Sequence, residues 1–142
     1  MNDPIVAYSI ENLLDVCLNR KMIMYSLLEN CQNIELQKYY IQVIYENHLC
    51  FQNIHFTIAD THVGITYIKG VHAIPLNGKR KTLYHLYHTS YTLNDCLENE
   101  KKSMQIFKNA LQYSMPSLVH LIVEHEIKCL HKSVLFLEKA AK

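Results

Sequence analysis

The chain predicts an all-α fold: a four-helix bundle of two antiparallel helical hairpins joined by a long crossover. Three observations point there. Apolar residues recur at steps of three and four over most of the chain, the spacing that lines one face of an α-helix. Glycine and proline are scarce, three of each in 142 residues, and they gather where ends and connections are expected. A many-stranded sheet needs turn residues far more often. Apolar residues make up 49% of the chain against 19% charged, which suits one domain with one core and excludes a disordered chain.

Residues 1–8 read as a lead-in. Ser9 is placed to cap a first helix over about 10–31, whose stripe is Ile10, Leu14, Cys17, Lys21, Met24, Leu28 and Cys31. Asn33 is placed to cap a second helix over about 34–61, with stripe Tyr40, Ile44, Asn47, Phe51, Ile54 and Ile58. The short gap between them makes these helices antiparallel neighbours. Residues 62–81 differ: they hold Gly64, Gly70, Gly78, Pro75 and the basic run Lys79–Lys81, with apolar pieces at 65–68 and 71–74 suited to extended structure. A connection of that length is expected where it runs the length of a bundle. A helix of about 28 residues is ~42 Å long, a span that about eighteen extended residues can cover. The third helix is expected over about 82–113, with stripe Leu83, Leu86, Ser90, Leu93, Leu97, Glu100, Met104, Phe107 and Leu111. Pro116 opens the fourth, which reaches about 140 and turns Val119, Ile122, Val123, Glu126, Cys129, Leu130 and Leu137 inward.

Lys21, Asn47, Glu100 and Glu126 interrupt these stripes where core residues are expected, so together they predict a polar layer in the middle of the bundle. Lys21 to Glu100 and Asn47 to Glu126 are both steps of 79 residues. The same shift lays Cys17 on Cys96, Leu18 on Leu97, Cys50 on Cys129 and Phe51 on Leu130, which suggests a duplicated hairpin.

Residues 12–21 (Asn-Leu-Leu-Asp-Val-Cys-Leu-Asn-Arg-Lys), 34–36, 93–100 running on to Ala110 and Leu111, Met115 with Pro116, and Glu126 followed by His131 resemble the ferritin-like superfamily. Within it, the chain looks like a bacterial branch of small four-helix proteins with no assigned function. The resemblance covers nearly the whole chain and implies a ferritin-like bundle. That branch usually carries an Asp-Gly-Glu segment on its first helix, where this chain reads Asn19-Arg20-Lys21. The third-helix glutamate is kept as Glu100, and the fourth-helix glutamate and histidine as Glu126 and His131. An arginine common on the second helix is replaced by Asn47. The Glu-x-x-His motif of di-iron members is absent. Its nearest substitutes, Glu46-Asn47-His48 and Glu124-His125-Glu126, have i, i+2 spacing, and such side chains point about 200° apart.

A carboxylate-bridged di-iron site needs about four Glu and two His projecting inward. The layer offers Glu100 and Glu126, with His48, His125 and His131 next to core positions as further candidate ligands for iron or manganese. Lys21 adds positive charge where a metal calls for a carboxylate. The preferred reading is therefore a charge-balanced layer in which Lys21 pairs with Glu100 or Glu126. It needs no cofactor and assigns no catalytic residue. Elsewhere, His85 and His88 share a helix face, His120 and Glu124 form an exposed i, i+4 pair, and Cys129 and His125 are within reach of each other.

Ten tyrosines, among them Tyr39, Tyr40 and Tyr45 with Tyr84, Tyr87 and Tyr91, suit an interface and point to a homo-oligomer, with a dimer preferred. A net charge of +1 with scattered basic residues argues against a nucleic-acid partner. The absence of an apolar run of about 18–20 residues argues against a membrane span. Nothing resembles a signal peptide, and five cysteines without CxxC spacing suit the reducing cytoplasm. Two functional readings follow. The preferred one is a non-enzymatic ferritin-like bundle with a degenerate metal site, acting through self-association or protein binding. The alternative is a metal-binding oxidoreductase or iron-handling protein with a reduced carboxylate/histidine site.

Overall fold

The computed structural model describes residues 4–61, 74–76, 79–81 and 90–142. In chain order the elements are α1 (Pro4–Glu29), α2 (Ile34–Thr61), β1 (Ile74–Leu76), β2 (Lys79–Lys81), α3 (Leu93–Ala110) and α4 (Ser117–Ala140). Gly64, Gly70, Gly78, His62, His72, His85, His88, Tyr84 and Tyr87 lie outside the described residues, as do 65–68, 71–73 and the expected start of the third helix.

Local chemistry sets the helix ends: the first helix starts earlier than expected, and the expected unbroken run over about 82–113 is interrupted at 90–92. The first helix begins at Pro4 rather than near Ile10, and ends at Glu29. Proline at the first helical position loses no hydrogen bond there, and its fixed φ already suits the helix. The second helix is capped by Asn33, whose Oδ1 accepts from the Leu36 backbone N–H at 3.1 Å. The third helix begins at Leu93; Ser90, Tyr91 and Thr92 are not helical. The stop is a reciprocal capping box. Thr92 accepts from the Asp95 N–H at 3.1 Å, and the Asp95 carboxylate accepts from the Thr92 N–H at 2.9 Å. Pro116 is the N-cap residue of α4 and offers no side-chain cap. The strands form one small antiparallel ladder, Ile74 opposite Lys81 and Leu76 opposite Lys79.

α1 packs on α2 and α3, while α4 packs on α3 and α2. Two apolar clusters fill the space between the helices. One joins Val6, Ile10, Leu13 and Cys17 of α1 to Ile54 and Ile58 of α2, Phe107 of α3, and Val119 and Val123 of α4. The other joins Ile23 and Met24 to Tyr40, Val43 and Ile44, Cys96 and Leu97, and Val134 and Leu137. The end of α2 and the start of α3 thus belong to different clusters. Each buried Leu, Ile or Phe is worth about 1.5–3 kcal/mol, so the clusters dominate the stability of the bundle. Between them lies a polar layer. α1 is buried on every side from Leu13 to Arg20, as befits a helix covered by neighbours all round. No helix among the described residues is long and apolar enough to cross a membrane.

Candidate functional site

The polar layer is built on Arg20, which is fully buried. Its guanidinium forks onto Glu100, with Nε donating to Oε2 at 2.6 Å and NH2 to Oε1 at 3.1 Å. NH1 reaches the other way, donating to Glu126 Oε1 at 2.7 Å and to Asn47 Oδ1 at 3.0 Å. Asn47, Glu100 and Glu126 are all buried within it. The expected cation was Lys21, and the structure corrects this: Lys21 is half-buried beside the layer and takes no part in these bonds. Both positions fit the stripe, because 20 and 21 lie three and four residues after Cys17, and both precede Met24 by a helical step. The planar guanidinium presents its donors as a rigid fork that serves two carboxylates and an amide at once, which an ammonium does not.

Two further groups extend the layer. Ser133 donates to Glu100 Oε1 at 3.0 Å, and the Tyr39 hydroxyl is hydrogen-bonded to the Ser133 Oγ. Because the serine proton is committed to Glu100, Tyr39 is the donor in that second bond. The layer therefore takes members from each of the four described helices: Arg20 from α1, Tyr39 and Asn47 from α2, Glu100 from α3, and Glu126 and Ser133 from α4. Asn47 Nδ2 is buried without a hydrogen-bond partner among the described residues, as is the neighbouring Asn19 Oδ1.

One guanidinium faces two carboxylates. Burial alone disfavours charge on Arg20, but Glu100 and Glu126 outweigh it and raise its pKa further, so it stays a cation. Burial raises the Glu126 pKa above the ordinary carboxylate range. Arg20 offsets this only in part, and Glu46 and Glu100 add to the rise. Tyr39 is pushed up by burial and then by Glu100, so it remains a neutral donor. Cys96 is pushed up by burial and Glu100. Cys50 is pushed up by its hydrogen bond to Cys17 and by burial. These thiols are protonated packing groups rather than nucleophiles.

The candidate metal ligands do not converge. Glu100 and Glu126 are both engaged by Arg20, while His48, His125 and His131 are exposed. Among the described residues no group of three or more His, Cys, Asp or Glu is arranged to hold a metal ion. His125 instead lies 3.6 Å from Cys129 Sγ. That thiol is pushed up to about 11 by burial, Glu126 and Glu46, which makes it a poor nucleophile near neutral pH. His120 and Glu124 form an exposed pair at 2.7 Å. Beside the layer, a cleft of about 300 Å³ opens between α2 and α4, with Glu46 and Glu126 among its lining residues. Arg20, Ser133 and Tyr39 are members of the layer beyond those the sequence predicts. The available signal was the stripe Ile10, Leu13, Cys17, Arg20, Met24, which steps as regularly as the one through Lys21.

No family model, characterised protein or solved structure matches this chain.

Proposed function

We propose that this chain is a non-enzymatic ferritin-like bundle, made of two antiparallel hairpins joined by a crossover, in which an internal ion pair stands where a metal site would be. It acts through self-association or protein binding, in a reducing compartment such as the cytoplasm. The observation that carries this reading is Arg20, whose guanidinium fills the space between Glu100 and Glu126 and bonds to both. A covalently held cation cannot exchange or change oxidation state. It engages both of the carboxylates that iron or manganese would need and leaves the layer a structural part.

Association is supported by the outer surface. Ile41, Tyr45 and Phe56 on α2, with Leu118 and Leu121 on α4, are large apolar side chains left more than half exposed. A concentration of such groups marks interaction surfaces. The test is metal analysis and sedimentation of tag-free protein purified without chelator. Substoichiometric iron and manganese, together with a dimer weakened by Phe56→Ser, are expected. Stoichiometric iron or manganese, lost in Glu100→Ala, would establish the metal-dependent alternative instead.

A further inference from the structure

The cleft between α2 and α4 has about 300 Å³ of space, at the small end of the range for ligand sites. Leu49, Leu121 and Ile122 give it apolar walls, and Glu46 and Glu126 give it two carboxylates. We propose that it binds a small organic cation: a protonated primary amine carried on a short apolar body. This goes beyond the proposed role of the bundle; Leu121, a wall of the cleft, also belongs to the exposed surface offered for association, so the assembly state is read in the same samples.

The argument begins at Glu126, which is only 3% exposed yet lines the cleft. Its Oε1 is taken by Arg20, and no partner for its other oxygen is found among the described residues. Arg20 has little left to give, because its remaining bonds go to Glu100 and Asn47. Two carboxylates in the layer share one guanidinium, and Glu46 adds a third at the cleft. Asn53, His125 and the Cys50 thiol also line the cleft, the Cys129 thiol beside it is pushed up by burial, Glu126 and Glu46, and Glu46 Oε1 accepts from Gln42 Nε2 at 3.0 Å, a neutral donor that brings no positive charge. Three carboxylates against one guanidinium leave this region with an excess of negative charge, beside a nearly buried carboxylate with an acceptor to spare. A buried charge is costly unless paired, so a cation that enters is held strongly.

The walls select the kind of cation. Leu49, Leu121 and Ile122 offer no ligands to a hydrated metal ion but suit a short hydrocarbon. An ammonium at the floor donates to Glu126 and Glu46 while its apolar body displaces water from the leucines. A neutral alcohol of the same shape leaves the charge unpaired, and a carboxylate meets like charge.

The test is an amide-shift titration by NMR with three probes of one shape: butylammonium, 1-butanol and butyrate. It is run on full-length protein whose assembly state is followed by light scattering in the same samples. Butylammonium is expected to shift amides in 46–53 and 121–126 saturably, with 1-butanol roughly tenfold weaker, as for a charge-assisted hydrogen bond, and butyrate inert. Glu46→Gln is expected to weaken butylammonium about tenfold. Leu121→Trp, which fills the cleft from an exposed position, is expected to abolish the shifts while helicity is unchanged. The proposal is overturned by any of three results: no saturable shifts there, equal responses to butylammonium and 1-butanol, or undiminished binding by Glu46→Gln. An unchanged dimer alongside any of these leaves the reading of the bundle untouched.

Discussion

At the scale of the residue, Arg20 decides the character of the bundle. A guanidinium removed from water is tolerated because each end of its fork meets a carboxylate. Removing it leaves two carboxylates buried together. Arg20→Met is therefore expected to cost ~3–5 kcal/mol, while Lys21→Ala on the adjoining position costs under ~0.5 kcal/mol. Urea denaturation of the two variants checks this, and equal losses would return the central role to Lys21. A second expectation concerns pH. Glu126 binds its proton more tightly in the folded chain than the ordinary value of 4.5 implies, chiefly because it is buried. Between that value and its raised folded one, the native state holds more protons than the unfolded state, so stability falls as pH rises through this window. The contribution is fully present below the ordinary value. Glu126→Gln is expected to flatten this part of the stability–pH curve; urea midpoints measured at successive pH values would show whether it does. Asn47, Glu100 and Glu126 stand out in the sequence because each is a polar break in an apolar stripe. The choice between positions 20 and 21 is not legible by spacing, since helical steps of three and four serve both. Only the geometry of a donor that must reach two helices separates them.

At the scale of the element, ends are governed by a few hydrogen bonds. Thr92 and Asp95 fix the start of α3 by satisfying each other's backbone N–H groups. Thr92→Ala is expected to destabilise the protein by about 1 kcal/mol and to speed hydrogen exchange at residues 93–96 without affecting α2. Uniform exchange across all helices would argue instead for a global effect. This start was readable as Thr-x-x-Asp, yet apolar residues upstream of it, Leu83 and Leu86, keep the same periodicity and mask the boundary. The Asn33 cap was easier to read because a short polar gap precedes it. α1 presents the opposite difficulty. With eight consecutive residues buried, from Leu13 to Arg20, its surroundings leave no polar face to mark its phase. Its first turn is hard to see in the sequence because Pro4 suits a lead-in as well as the opening of a helix.

At the scale of the whole molecule, the four described helices are legible from periodicity and from the scarcity of glycine and proline. The small ladder at 74–76 and 79–81 was not placed, although Asn77-Gly78 between the two strands is a recognised hairpin signal. The layer is a choice of pairing rather than a source of stability. Replacing it as a unit, with Arg20→Met, Asn47→Leu, Glu100→Leu and Glu126→Leu together, is expected to leave the bundle as stable as before or more so, by up to ~4 kcal/mol. Thermal melts beside those of the single variants measure the non-additivity. A quadruple variant less stable than Arg20→Met would mean that packing, not charge, holds the layer. The distribution of charge has a further consequence. Within the layer, the half containing α1 and α2 supplies only the cation, and the half containing α3 and α4 supplies both anions. The two pairs of helices are plug and socket: each is electrically unsuited to its own copy and matched to the other. Produced as separate fragments, 1–73 and 82–142, they are expected to form mixed pairs in native mass spectrometry in preference to pairs of either alone. Such a preference would keep the chain from exchanging the wrong half with its neighbour while it folds.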